Sequence, residues 1–395
     1  MTGSWLRNKV AVVGIGATEF SKRSGRSEMR LAVEAITAAL QDAGLQSSEV
    51  DGLSTFVMDK NPEVEVFRLI GGRNLRFFSR ADYGGGGACA PILHAALAIA
   101  SGVCDVAVVY RAMNERSSYR FGAGQMGAMS DASSFIEVNF TNWYLPYGLM
   151  SPAAFLAIAA RRYMQMFGVE SADFGRVTVA ARDFAATNPA AHFYKRPITL
   201  DDHQQSRWIA EPLRLLDCCQ ESDGAVAIVL TSAERARDLK QAPAYIAAAA
   251  QGATSDTRMM TAYDQADITR LGEKELVAKT LYAMSGLAPA DIHTAILYDH
   301  FSPFVLLQLE AFGFCGRGEA KDFVLDGHIG RGGSVPVNPN GGQLGEAYLH
   351  GLNGLAEGVR QLRGTSVNQV EGVENVLVTA GDGLPTSGLI LTAEQ

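Results

Sequence analysis

The chain has 395 residues, a formal net charge of −8, 47% hydrophobic and 19% charged residues, a balance that supports a large core in two or three domains, or two fused halves, and excludes a disordered chain. The acidic balance argues against a nucleic-acid binder, which would carry a basic stripe, and no stretch reaches the roughly 18 apolar residues of a membrane helix. Five cysteines, with Cys218 and Cys219 adjacent, make no secreted disulfide framework, and the opening Met-Thr-Gly-Ser-Trp-Leu-Arg-Asn-Lys lacks an apolar signal core, so a reduced, cytoplasmic enzyme is expected.

In chain order, Val10 to Ile15 is an apolar run ending in Gly16-Ala17-Thr18 and predicts a buried strand. Val33, Ile36 and Leu40 then recur at helical spacing until Gly44-Leu45 stops the helix. Next come Ser48 to Leu53, the glycine turn Gly84–Gly87, a helix over 90–101 and a strand over Asp105–Tyr110. The same order returns later: the strand Tyr245–Ala250 ending in Gly252-Ala253-Thr254, a helix through Val277, Leu281 and Met284 stopped by Gly286-Leu287, the stretch Ala290 to Ala295, Gly341-Gly342, a helix over 346–362 and a strand over Asn375–Ala380. This internal repeat predicts a duplicated α/β chain, with an N-terminal half over 1–240 and a C-terminal half over 241–395, built from mainly parallel sheets covered by helices. Between Met113 and Arg207 the repeat is interrupted by helices near 152–167 and 171–187, the aromatic cluster Trp143, Tyr144 and Tyr147, and the turn Lys195-Arg196-Pro197. An insertion of this length predicts a loop subdomain over 113–207 that covers the active site or packs a dimer.

Four places carry possible chemistry. In Asp82-Tyr83-Gly84-Gly85-Gly86-Gly87-Ala88-Cys89-Ala90-Pro91, four glycines leave backbone N–H groups open to a ligand oxygen, and Pro91 puts Cys89 near a helix N-terminus. Cys89 is there either an activated nucleophile or a small residue packing helix on sheet. Tyr298-Asp299-His300-Phe301-Ser302 follows the apolar strand Thr294–Leu297, at the strand end where α/β folds hold ligands, although a lone His300 is more often structural. The third place is the glycine-punctuated loop Asn338 to Gly351, with Glu346, Tyr348 and His350; the fourth is the turn Thr379-Ala380-Gly381-Asp382-Gly383. No His, Cys or Asp spacing suggests a metal site, and Asp217-Cys218-Cys219 with Ser222-Asp223-Gly224-Ala225 reads as a turn into a buried strand.

These four places, in this order on a duplicated chain, resemble the thiolase superfamily. Leu297-Tyr298-Asp299-His300-Phe301-Ser302 resembles its Leu-His-Asp-Cys-Phe-Ser block, and Asn338-Pro339-Asn340-Gly341-Gly342, followed by Gly354-Leu355-Ala356, resembles its Asn-Pro-Ser-Gly-Gly block. The resemblance implies a duplicated five-layered α-β-α-β-α architecture with the loop subdomain inserted in the first half. The superfamily's nucleophilic cysteine falls on Gly85, its two catalytic histidines on Tyr298 and Tyr348, and its second cysteine on Thr379. Without a thiolate at 85 an acyl-enzyme has no obvious anchor.

One branch is more similar still: the lipid-transfer-protein aldolases of bacterial steroid side-chain degradation, through the Asp82 to Ala90 run, Arg207-Trp208-Ile209-Ala210-Glu211-Pro212-Leu213, and Gly342-Gln343-Leu344-Gly345-Glu346-Ala347-Tyr348. This implies retro-aldol cleavage of a 17-hydroxy steroid acyl-CoA to a 17-ketosteroid and propionyl-CoA, with CoA as part of the substrate and no separate cofactor. It implies a homodimer joined by a DUF35 (OB-fold) partner in a heterotetramer, with neither nucleic acid nor membrane involved. By this resemblance Tyr348 is expected as the hydroxyl-side base and Tyr298 as the enolate-side acid, roles that could be exchanged. The amides of Gly85 and Gly381 would receive the enolate oxygen, supported by Asp299, His300, Glu346 or His350. The basic groups near the CoA phosphates are sought among Arg161, Arg162, Lys195 and Arg196; the chain shows no dense Lys/Arg cluster beside the glycine motifs, so further positive charge is expected from the partner. Two rival readings stand beside this one: an acyltransferase using Cys89, and a non-catalytic acyl-CoA or lipid-binding subunit.

Overall fold

A computed structural model describes residues 6–82, 85–118, 120, 145–255, 263, 265–382 and 386–394. Tyr83, Gly84, Trp143, Tyr144 and Gly383, singled out above, lie outside the described residues. The strands are β1 (Val10–Ala17), β2 (Gly52–Phe56), β3 (Phe77–Ala81), β4 (Val106–Asn114), β5 (Trp208–Ala210), β6 (Leu213–Arg214), β7 (Asp223–Ser232), β8 (Ala244–Gly252), β9 (Thr294–Ile296), β10 (Asn375–Thr379) and β11 (Thr386–Thr392). Nine of them form one sheet in the order β3-β2-β4-β7-β1-β8-β11-β10-β9. Its left part, 3-2-4-7-1, is repeated on the right by β9, β10, β11 and β8, with an isolated parallel bridge from Ala295 to Val337 in the place of β3. Pairing directions repeat as well: β2–β4 and β9–β10 are parallel, β4–β7 and β10–β11 antiparallel, and β7–β1 and β11–β8 antiparallel. The repeat read from the sequence is thus a repeat of topology.

The sheet is mixed, not mainly parallel as expected. Parallel pairing among the named strands is confined to β2–β3, β2–β4 and β9–β10. A parallel neighbour needs a crossover of about a dozen residues or more; only residues 380–385 separate β10 from β11, so that pair can only fold back on itself.

Three hydrophobic cores separate the layers. Helices Glu28–Ala43 and Glu63–Ile70 lie on one outer face, where Leu31, Ile36, Leu40 and Val66 pack against Val108 and Val229. The central layer holds Ala90–Ala100 and Leu352–Arg363, whose Ile92 and Leu355 meet strands of both halves through Val109, Leu230, Val376 and Leu391. The other outer layer is Gly272–Ser285 and Ser302–Ala311, joined by Pro152–Phe167 and Ser171–Thr187 through Tyr163 and Phe174. Each buried large apolar side chain contributes about 1.5–3 kcal/mol. With the two halves of the sheet counted as separate layers, the order is helix, sheet, helix, sheet, helix. Helices 152–167 and 171–187 start and stop where their periodicity predicts, since Ser151 accepts the Ala154 amide and Gly168 ends the first in a left-handed turn. They leave the first half of the chain and pack on the second, with Ala185 against the Gly341 turn.

Candidate active site

The two tyrosines come from different strand ends and meet. Tyr298 follows β9 and Tyr348 lies in the loop before helix 352–363, and their hydroxyls are 3.1 Å apart with rings edge to face at 81°. Tyr298 is buried and packs with Ala88 and Ala380; Tyr348 is partly buried beside them. The Tyr298 backbone is held on both sides: its N–H donates to Thr379 Oγ1 at 3.0 Å, and its carbonyl accepts Gln308 Nε2 at 2.8 Å. Thr379 in turn donates to Gln308 Oε1 at 2.5 Å. The position where the superfamily keeps a second cysteine is here a hydroxyl that anchors the tyrosine.

Gly85 explains itself through the same ring. A Cβ on Gly85 would lie 2.4 Å from the Tyr298 hydroxyl, and one on Gly381 would lie 2.7 Å from the ring edge. The phenol occupies the space that a side chain at 85 would need, so Tyr298 in this place requires a glycine at 85. The Gly381 amide, expected to await a thioester oxygen, donates instead to the Gly85 carbonyl at 2.7 Å. An enolate oxygen could use that donor only by displacing this bond. Behind the turn, fully buried Lys274 donates to the carbonyls of Ala380 at 2.6 Å and Gly381 at 2.8 Å and to Thr386 Oγ1 at 2.9 Å. Burial lowers this lysine to about 8, with Glu273 opposing.

The four supporting residues divide by their bonds. Asp299 is pushed up to about 6 by burial and accepts the amides of Gln343 at 2.7 Å and Leu344 at 3.3 Å, which ties the 342–345 turn to the end of β9. Glu346 is pushed up to about 7 by burial and receives the side-chain amides of Asn188, Asn340 and Asn353 at 3.1, 2.5 and 2.8 Å. His350 accepts Arg111 Nε at Nδ1 (3.1 Å), and burial and that guanidinium hold it neutral. His300 packs edge to face on Phe304, and burial drops it to about 3. The expected helix over 346–362 begins only at Leu352, because His350 (φ 51°) and Gly351 (φ 85°) take left-handed backbone that a helix cannot continue through. Tyr348 and His350 therefore sit in a loop.

Cys89 is the N-cap of helix 90–100, yet it is 1% exposed and burial pushes its thiol up to about 12. The packing alternative holds for this residue: the helix terminus does not overcome desolvation. Of the basic candidates, Arg161 pairs with Glu211 at 2.7 Å. The turn carrying Lys195 and Arg196 leans on the site, since the amides of His192 and Phe193 donate to the carbonyls of Glu346 and Gly345. Burial together with Lys22, Arg196 and Arg182 lowers His192 to about 4, so the fold gathers positive charge that is scattered in the sequence.

Residues missed by sequence reasoning are Arg111, Glu115, Ser222, Lys274 and Gln308. Arg111, inside the apolar strand β4, was the one legible signal. It is buried, bonded to Asp59 at 3.1 Å and aimed at His350.

Residues 247–391 match the family model "Thiolase C-terminal domain-like". The chain is 61% identical to the 17-hydroxy-3-oxo-4-pregnene-20-carboxyl-CoA lyase of Mycobacterium tuberculosis, over 98% of this chain and 100% of that one. It is 58% identical to the steroid side-chain-cleaving aldolase of Thermomonospora curvata, over 99% and 100%. A solved structure described as "Ltp2-ChsH2(DUF35) aldolase" superposes with a TM-score of 0.94 at 57% identity, covering 99% of each chain. Two meeting tyrosines over a glycine, on a thiolase-like framework and in such company, leave one assignment: the chain belongs to the steroid side-chain-cleaving aldolases of the thiolase superfamily.

Proposed function

We propose that the chain cleaves the side chain of a 17-hydroxy steroid acyl-CoA by a retro-aldol reaction, releasing a 17-ketosteroid and propionyl-CoA. The observation that carries this reading is the 3.1 Å contact between the Tyr298 and Tyr348 hydroxyls beside a glycine that replaces the thiolate. A retro-aldol cleavage needs no acyl-enzyme. It needs removal of the hydroxyl proton, accommodation of the enolate and protonation of its carbon.

In this mechanism Tyr348 accepts the hydroxyl proton as it passes its own on, the bond between ring carbon and side chain breaks, and its electron pair moves into the thioester as an enolate. Tyr298 then delivers a proton to the enolate carbon. Burial holds both phenols well above the ordinary tyrosine range, so each acts while protonated, as a relay. A backbone donor at the enolate oxygen would be worth about 3 kcal/mol of barrier; the Gly85 amide is our candidate, with Gly381 contributing once its bond to Gly85 opens. CoA enters as part of the substrate, with no separate cofactor. The relative whose structure carries a DUF35 chain supports an OB-fold partner here, and we infer a homodimer flanked by two such partners, working in the cytoplasm. Among the described residues no helix is long and apolar enough to cross a membrane.

Mass spectrometry of the products after incubating the co-purified complex with a 17-hydroxy steroid acyl-CoA tests the reading. Equimolar 17-ketosteroid and propionyl-CoA are expected. Unchanged substrate, or an acylated protein in place of the ketosteroid, would refute it.

A further inference from the structure

While the enolate exists, the proton taken from the steroid hydroxyl must rest somewhere other than the substrate. Neither phenol can hold it, because each already carries its own. The groups around the pair are nearly all committed. Asp299 is bonded to two backbone amides, Glu346 to three asparagine amides, and His350 Nδ1 to Arg111. His300 Nδ1 has no hydrogen bond, but a ring held at about 3 stays unprotonated at neutral pH.

Glu115 differs from all of these. It is 5% exposed, and its Oε2 is the one buried carboxylate oxygen without a hydrogen-bond partner among the described residues. Its place is set by register: Asn114, the last residue of β4, pairs with Asp223 of β7, which brings Glu115 beside Ser222. Ser222 Oγ accepts the Tyr348 amide at 3.1 Å. The charge of Glu115 also opposes ionisation of Tyr298 and Tyr348 alike, so it lies within electrostatic reach of both phenols.

We propose that Glu115 is the proton reservoir of the tyrosine pair, its carboxylate taking the proton that Tyr348 passes on as the carbon–carbon bond breaks and returning it through Tyr298 to the enolate carbon. The inference rests on the aldolase reading. The proton count closes, since one proton leaves oxygen, waits on the carboxylate and ends on carbon. Burial and the neighbouring Glu221 raise the affinity of Glu115 for a proton, while the Ser222 amide, Arg111 and Lys22 restrain it. Cys219 and the two tyrosines also face it among the described residues.

Because the carboxylate must be ionised to accept, turnover should fall as pH drops through its pKa. The test is kcat and KM for wild type, E115Q and E115D, each co-purified with the partner, across about pH 5 to 9. E115Q should keep its melting temperature and a KM within about threefold, lose about 10²-fold in kcat, and lose the acid limb; E115D should recover part of the rate with a displaced limb. An E115Q kcat within about threefold of wild type, or a slowed E115Q with an unchanged acid limb, overturns the reservoir. Should E115Q not fold, E115D decides: a displaced limb supports the reservoir and an unchanged one overturns it. A wild-type complex that releases no ketosteroid overturns the aldolase reading and the reservoir with it. An active wild type beside an equally active E115Q overturns the reservoir alone.

Discussion

About one free tyrosine in a thousand is ionised at neutral pH, and burial makes Tyr298 and Tyr348 scarcer still as phenolates. In the proposed mechanism their value lies in being paired, because a phenol that gains one proton while losing another never has to carry charge. Tyr298→Phe and Tyr348→Phe remove one hydroxyl each and no packing volume, so both should fold as wild type and lose at least about 10²-fold in kcat; steady-state assays showing near-wild-type turnover in both would sink the relay. Cys89→Ala is the contrasting case. Its thiol is buried at about 12 and faces the Val378 carbonyl, away from any reacting atom that the mechanism uses, so most activity should remain and intact-mass analysis during turnover should find no acyl adduct. At this scale the tyrosines were legible because a family motif marks their positions. Glu115 was not, since nothing in Met113-Asn114-Glu115-Arg116 distinguishes a carboxylate at a strand end from one in solvent.

Between residue and molecule stands the loop from Asn338 to Gly351, which Asp299 ties at its 342–345 turn and Glu346 ties to its neighbours. Glu346 accepts amides from Asn188 in the helix 171–187, from Asn340 in its own turn and from Asn353 at the start of the next helix. Burial raises it to about 7 from the ordinary 4.5, so between those values the folded chain holds a proton that the unfolded chain releases. Its contribution to stability is therefore present below the lower value and lost as pH rises through the window, by about 3 kcal/mol at most. Glu346→Gln removes that proton. Thermal melts at the two ends of the window should show a smaller fall between them in the variant than in wild type, and equal falls would contradict the assignment. The glycines of this loop were readable from the sequence. The late helix start at Leu352 was not, because left-handed backbone at His350 is imposed by tertiary contacts and not by its residue type.

For the molecule as a whole, charge makes the partner testable. CoA brings several negative charges to a chain at −8, and although the fold collects Lys22, Arg182 and Arg196 around His192, Lys22 also faces Glu115 and Glu221. The chain purified alone is expected as a homodimer of low activity, and co-expression with an OB-fold partner as a two-plus-two assembly with full activity; light scattering after size exclusion, with an aldolase assay of both preparations, checks this. A lone homodimer that cleaves as fast as the complex would make the partner dispensable. The sequence by itself determined the duplicated α/β framework, since the apolar runs Val10–Ile15 and Tyr245–Ala250 and the helices capped by Gly44 and Gly286 are local patterns that hydrophobic burial reads directly. Strand direction, the bond that occupies the Gly381 amide, the burial of Cys89 and Lys274, and the unpaired oxygen of Glu115 were decided by tertiary structure. Each depends on which atoms from distant segments arrive at one point, and on how much water they exclude when they do.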